Sequence, residues 1–169
     1  MRQQPGLACW TRHGEAVSLL TFLGRHDEQG PRSYTPSFVS ENRRRLFAYA
    51  FVLDKVIVSF TGRPPLMSYR YASTPLPLDL RDEDLLSDGA TLARAVAALD
   101  GNGWNTSGGV YSVTLLRARS MLAFIRDELV EIALSTQKGI TLEILQCVFT
   151  IWLAGDILGC ADWLDLRID

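Results

Sequence analysis

Apolar residues recur along most of this chain at steps of three and four, and no convincing strand pair occurs, so the pattern is mostly helical. From Ala8 to Leu23, Trp10, Val17, Leu20 and either Leu23 or Gly24 fall on one face, with Gly24 as a stop. A second helix begins near Thr35 or Ser37, where Thr35-Pro36 offers an N-cap and first-turn pair, and runs to about Phe60. Its apolar positions, Leu46, Phe47, Ala50, Phe51, Leu53, Ile57, Val58 and Phe60, cover more than one narrow stripe, so neighbours should flank it on at least two sides. After Arg45 its only charges are Asp54 and Lys55, and Asp54 lies a turn from Ala50 and Val58, on the apolar side. Gly62 ends the helix, because glycine enters the left-handed region at little steric cost, and Pro64 and Pro65 forbid its continuation.

Beyond this corner the pattern changes. In Met67–Leu80, Pro75 and Pro77 at alternate positions favour an extended path that can lay Leu76, Leu78 and Leu80 on a helical surface. Asp82-Glu83-Asp84 opens a short turn with acids at its N-terminal end. Thr91–Leu99 is a short helix broken by Asp100-Gly101-Asn102-Gly103. The longest helix spans about Tyr111 to Thr136, with Val113, Leu116, Met121, Phe124, Ile125, Leu129 and Ile132 inside. Arg117, Arg119, Arg126, Asp127, Glu128 and Glu131 are assigned to its wet side, and Gly139 to its end. Thr141–Leu153 reads as a further apolar helix and Asp162–Leu166 as one more turn. The predicted fold is all-α: one domain over residues 1–169, an irregular helical bundle with a proline-rich extended segment after the second helix.

Composition narrows the function classes. The 169 residues suit one domain or part of a larger one, and 47% hydrophobic against 21% charged content is an ordinary globular balance. A net charge of -2 gives no global field toward nucleic acid or an anionic membrane. The most apolar window, Ile140–Leu158, is interrupted by Glu143, Gln146 and Asp156 and reads as a buried helix, not a span of about 20 apolar residues. Cys9, Cys147 and Cys160 are too few and too widely spaced for a disulfide framework, and fit small apolar residues in a reducing compartment. Cys9 and His13 are one helical turn apart, but no second pair completes a tetrahedral metal site.

Catalytic patterns are missing too. His13 and His26 fall near polar or loop positions without a serine or cysteine partner, and no G-x-S-x-G, H-E-x-x-H or phosphate-loop sequence occurs. The expectation is a non-enzyme with neither catalytic nor metal-binding residues.

Two features invite a physical reading. Arg43, Arg44 and Arg45 could touch phosphates, serve as a short import signal or act structurally. Consecutive helical residues point about 100° apart and cannot share one partner, which favours structure. Glu41 and Arg45 are spaced to pair along the helix. Asp54, an acid on an apolar face, needs a partner. Arg63 is the first candidate, folding back from the corner, with Arg44 and Arg45 behind it, and a solvent-facing rim position is the plainer alternative.

The ordered set E-x-R-R-R-L-F (41–47), L-D-K (53–55), G-R-P-P (62–65) and S-T-P-L-P-L-D-L (73–80) resembles the middle homology region of fungal zinc-cluster transcription factors, the fungal-specific transcription factor domain. The resemblance extends to Trp10, Gly14-Glu15 and Leu23-Gly24-Arg25-His26 upstream, and to Gly103-Trp104-Asn105 and Arg117–Leu122 downstream, covering about residues 8–135. It departs at Ala48, where the family often has an aromatic, and in lacking the N-terminal six-cysteine binuclear zinc cluster, so a fragment of a regulatory domain is expected.

The resemblance implies a non-catalytic regulatory domain that modulates RNA polymerase II transcription in the nucleus. Specific DNA binding and zinc are expected only from the missing cluster, so no cofactor is expected in this chain. Expected partners are co-regulators, other parts of the parent factor, a small-molecule effector or a second copy in a dimer, and no membrane. The alternative is a stand-alone interaction module that pairs with a full-length factor as a competitor. The motif residues taken as structural or regulatory are Arg43, Arg44, Arg45, Phe47, Asp54, Gly62, Arg63, Pro64, Pro75 and Pro77.

Overall fold

The computed structural model describes residues 5–28 and 34–134. The expected helix end at Gly139, the helix Thr141–Leu153, the turn Asp162–Leu166, and Cys147 and Cys160 lie outside the described residues.

Three long helices form the frame: α1 (Pro5–Phe22), α2 (Phe38–Thr61) and α5 (Ser112–Leu134). The all-α prediction agrees with the structure; among the described residues the one β feature is an isolated bridge between Leu99 and Asn105. α2 is central and packs on α1 and on α5. Its buried positions Glu41, Arg44, Ala48, Phe51, Lys55 and Val58 follow steps of three and four, the spacing that stacks side chains on one face. Phe51 meets Phe47 on α2 and Phe124 on α5, at ring-centroid distances of 6.3 and 5.2 Å. Val17 and Leu20 of α1, Val113, Leu116 and Ala123 of α5, and Leu80 and Leu85 complete the core.

Of the two expected starts of α2, Thr35 and Ser37, the structure takes the second. Ser37 is the N-cap, its hydroxyl accepting from Ser40 N at 3.1 Å while Ser40 Oγ accepts from Ser37 N at 2.9 Å. This capping box supplies two orphan amides with partners, which a threonine before proline does not do. At the other end Gly62 has φ 61° and donates its N–H to Val58 O at 2.8 Å.

Residues 63–81 then run as an extended strap, with one 3-10 turn at Tyr69–Tyr71. Two short helices follow, α3 (Asp82–Leu85) and α4 (Gly89–Ala97). α4 starts two residues before the expected Thr91, because Asp88 caps it by accepting from Thr91 N at 2.8 Å. A reversing loop leads into α5.

Candidate functional site

An irregular strap packed against helices has amide and carbonyl groups that no regular ladder satisfies, and leaving them buried and unpaired is costly. This chain meets the demand with charged side chains from the flanking helices. Asp54 on α2 accepts from the backbone N–H groups of Leu66 (3.1 Å) and Met67 (3.2 Å). Lys55 donates to Met67 O, and Asp127 on α5 accepts from Tyr69 N at 3.1 Å. Further along, Arg117 on α5 donates to Pro77 O, Glu41 on α2 accepts from Leu78 N at 2.8 Å, and Arg45 donates to Leu80 O at 2.9 Å. Between these clamps, His26 O accepts from Ser73 N at 3.0 Å and Arg25 O from the Thr74 hydroxyl at 2.9 Å. The loop after α4 holds the far end, with Gly103 O accepting from Asp79 N at 3.0 Å.

The clamp at the corner is an ionic cluster sealed from solvent. Lys55 Nζ is 2.9 Å from Asp54 Oδ2 and 2.5 Å from Asp127 Oδ1, and all three side chains are 0–1% exposed. The Asp127 contact is a charge contact, not an aligned hydrogen bond, since Oδ1 makes none. His13 Nε2 on α1 lies 3.0 Å from Asp54 Oδ1. One cluster therefore ties α1, α2, α5 and the strap together.

Three expectations are corrected here. Asp54 is paired with Lys55, His13 and the strap amides, and Arg63 stands instead over the Trp10 ring, 5.4 Å from its centroid. The chain reversal after Gly62 brings the Leu66 and Met67 amides to Asp54 and leaves Arg63 on the exposed outside of the corner. His13, assigned to a polar position, is buried in line with Val17 and Leu20, steps of four and three that mark the inner face of α1. Likewise Arg117 and Asp127 leave the expected wet side of α5, because their spacing with Ser120 and Phe124 (three, four, three) puts them on the face toward α2 and the strap.

The arginine triplet splits as helical geometry requires. Arg43 is exposed. Arg44 is buried and grips Glu28 with two parallel bonds, 2.8 and 2.6 Å, while its guanidinium stacks 3.5 Å from the Tyr34 ring centroid. Burial works against this charge, but the hydrogen bonds and charge of Glu28, with the charge of Glu41, outweigh it and hold the guanidinium above its ordinary range. Burial and the 2.6 Å bond to Glu41 push the Tyr34 phenol far up, so it stays a proton donor. Arg45 turns away from Glu41 toward Asp82, and the helical ion pair forms at the closer step, Glu41 with Arg44 at 3.5 Å.

Arg117 lies flat against Trp104, 4.3 Å from the ring centroid, and donates to Asn102 O at 2.8 Å. Burial lowers its pKa, opposed by Asp79, Asp100 and Glu41. Asp79 is saturated by Thr114 Oγ1 (2.6 Å), Asn105 N (3.1 Å) and the Asn105 amide (2.5 Å). Of the remaining motif residues, Phe47 and Pro77 are buried, whereas Pro64 and Pro75 are exposed. Beside this end of the strap a cleft of about 300 Å³ opens between α3, α4, Asn105–Ser107 and Tyr111.

Sequence reasoning missed Glu41, Lys55, Asp79, Arg117 and Asp127 as buried clamps. Their helical spacing carried the signal for all but Asp79, and residue type masked it. The arrangement fixes backbone, and Asp54, Lys55 and Asp127 are sealed from solvent. Among the described residues, no group of three or more His, Cys, Asp or Glu is placed to hold a metal ion, and no helix is long and apolar enough to cross a membrane.

A family model described as the fungal specific transcription factor domain matches residues 6–151. No curated protein and no solved structure matches the chain.

Proposed function

Because the chain belongs to the fungal-specific transcription factor domain family, we propose that it is a non-catalytic regulatory domain that modulates RNA polymerase II transcription in the nucleus. The observation that carries the non-catalytic part is the sealing of its chemistry. His13, Asp54, Lys55 and Asp127 have the residue types of an acid–base site, yet each is buried and bound to protein groups. A general acid or base must come within hydrogen-bond reach of its substrate, and these do not.

Regulation needs a part with two arrangements and a ligand or partner that favours one. The strap suits this role: it is irregular, it spans α1, α2 and α5, and discrete polar contacts hold it. Co-regulators or other parts of the parent factor are the partners we assign, with a small effector in the cleft beside Asp79 as a further input. Sequence-specific DNA binding falls to a separate zinc cluster, since the three cysteines of this sequence cannot form a six-cysteine centre.

The test is a tethering assay. The chain is fused to an unrelated DNA-binding module, and a reporter is read in a fungal nucleus against the module alone. The expected result is a shift in reporter output that Asp127→Asn alters at equal protein level. A fusion that accumulates in the nucleus and leaves the reporter unchanged contradicts the proposal.

A further inference from the structure

α4 carries an apolar face that the fold leaves half covered. Leu92, Ala95 and Val96, with Leu99 just past the helix end, fall on one side at helical steps, yet all four are only half-buried and no residue of α4 is buried. Ala95, Ala98 and Leu99 line the cleft of about 300 Å³, as does the buried Leu80 of the strap. The small side chains at 95 and 98 leave this hollow open, and its volume stands at the lower end of small-molecule sites, about 300–1,000 Å³. α5 carries the chain about 34 Å away from the cleft before the described residues end at Leu134. The charges around the hollow are unequally committed. Asp79 already accepts from the Thr114 hydroxyl and from both the backbone N–H and the side-chain amide of Asn105. Asp84 faces Arg81 at 3.4 Å, and the Arg81 guanidinium stands over the Tyr111 ring, 5.8 Å from its centroid. Arg94 has no carboxylate partner among the described residues; its bond goes to the Thr91 hydroxyl at 3.1 Å.

We infer that the cleft binds a small organic carboxylate with an apolar body, the hydrocarbon part against Leu80, Ala95, Ala98 and Leu99 and the carboxylate on Arg94. A guanidinium fork matches a carboxylate with two parallel bonds, and such a charge-assisted bond is roughly twice as strong as a neutral one. A cationic ligand would meet no free acid, since Asp79 and Asp84 are both engaged. A bare anion would gain nothing from the apolar lining. Seated there, the ligand joins α4 to Leu80 of the strap, whose carbonyl Arg45 holds, and so favours the arrangement in which the strap is clamped. That the cleft takes an effector rests on the regulatory reading; the chemistry of the ligand rests on the residues that line the cleft.

The test uses the full chain and calorimetric titration. The probes are 4-phenylbutyrate, 4-phenylbutyramide and 4-phenylbutylamine, which share one apolar body and differ in charge, with octanoate as a second carboxylate. The carboxylates should bind saturably, 4-phenylbutyrate roughly tenfold or more tighter than its amide, and the amine should not bind. Inorganic phosphate should not compete. Arg94→Gln should weaken 4-phenylbutyrate by roughly the same tenfold and leave the amide unchanged. Ala95→Phe fills the hollow and should abolish binding of both; because α4 buries neither residue, both variants should keep the urea midpoint of the unaltered chain. The inference is overturned if neither carboxylate binds saturably, if carboxylate and amide bind equally, or if binding survives Ala95→Phe. The tethered reporter is read separately. A chain that shifts the reporter and binds neither carboxylate overturns this site and leaves the regulatory reading standing. A chain that binds as described and leaves the reporter unchanged supports the site and overturns its regulatory role.

Discussion

Asp54 shows how much one side chain can hold when its carboxylate is placed at a bend. Two strap amides, the Lys55 ammonium and His13 all converge on it. Its removal leaves two strap amides and His13 without their acceptor and Lys55 with Asp127 as its remaining carboxylate, a loss on the scale of the about 3–5 kcal/mol that breaking a buried ion pair typically costs. Asp54→Ala should therefore lower unfolding free energy by about that amount, read as an earlier urea midpoint. Arg63→Ala, which loses only a surface contact with Trp10, should cost less than about 1 kcal/mol. Equal effects of the two substitutions would contradict the pairing described here. Arg44 makes a second case. Lysine keeps the charge but cannot give two parallel bonds to Glu28 while lying flat on Tyr34. Arg44→Lys should cost about 1.5–3 kcal/mol, the worth of a hydrogen bond to a charged group, and an unchanged midpoint would show that charge alone suffices.

The strap behaves as an element although it has no ladder of its own. Its sequence announces an extended path through Pro75 and Pro77, and the structure agrees that residues 63–81 are non-helical apart from one 3-10 turn. What the sequence obscured is where the polar partners come from. Arg117 and Asp127 read as solvent-facing because arginine and aspartate usually are, yet they sit at helical steps from Ser120 and Phe124 on the inner face of α5. The local rule failed where the tertiary demand for backbone partners overrode it. Because the clamps are discrete, the strap should loosen in parts. Arg117→Met removes donors to Pro77 O and Asn102 O while keeping most of the buried volume. Amide hydrogen exchange should then quicken around Leu78–Leu80 and Gly103 while α2 stays protected, since proteins open in local cooperative units. Uniform acceleration across α2 would mean that the strap and the helices open as one unit. At the corner, Gly62→Val forces a β-branched residue to φ 61° and should cost about 1–2 kcal/mol, measurable by the same urea midpoint.

At the scale of the whole molecule, the order of helices and the proline-rich crossing were legible in the sequence because periodicity and glycine or proline stops are local properties. The convergence of α1, α2 and α5 on one ionic cluster was not, because it depends on how the helices pack. A response to acid is set outside this cluster. Two carboxylates at separate places are held below their ordinary range. At Glu128 the main cause is the hydrogen bond from the Tyr69 hydroxyl, aided by Arg70; at Asp88 it is the N-cap bond from the Thr91 amide. A carboxylate with a lowered folded-state pKa stabilises the fold fully above its unfolded pKa, about 4, and loses that contribution as pH falls through the folded value. Stability from these two groups should therefore be level between pH 7 and about pH 5 and decline below about pH 4. Glu128 joins the strap to α5 through Tyr69 and Arg70, and Asp88 starts α4, so the decline has two separable parts. Urea midpoints measured against pH should show a shallower acid limb in Glu128→Gln and in Asp88→Asn, and shallower still in the double variant, since the sites share no partner. A double variant that keeps the full acid limb would contradict the assignment of that limb to these two carboxylates.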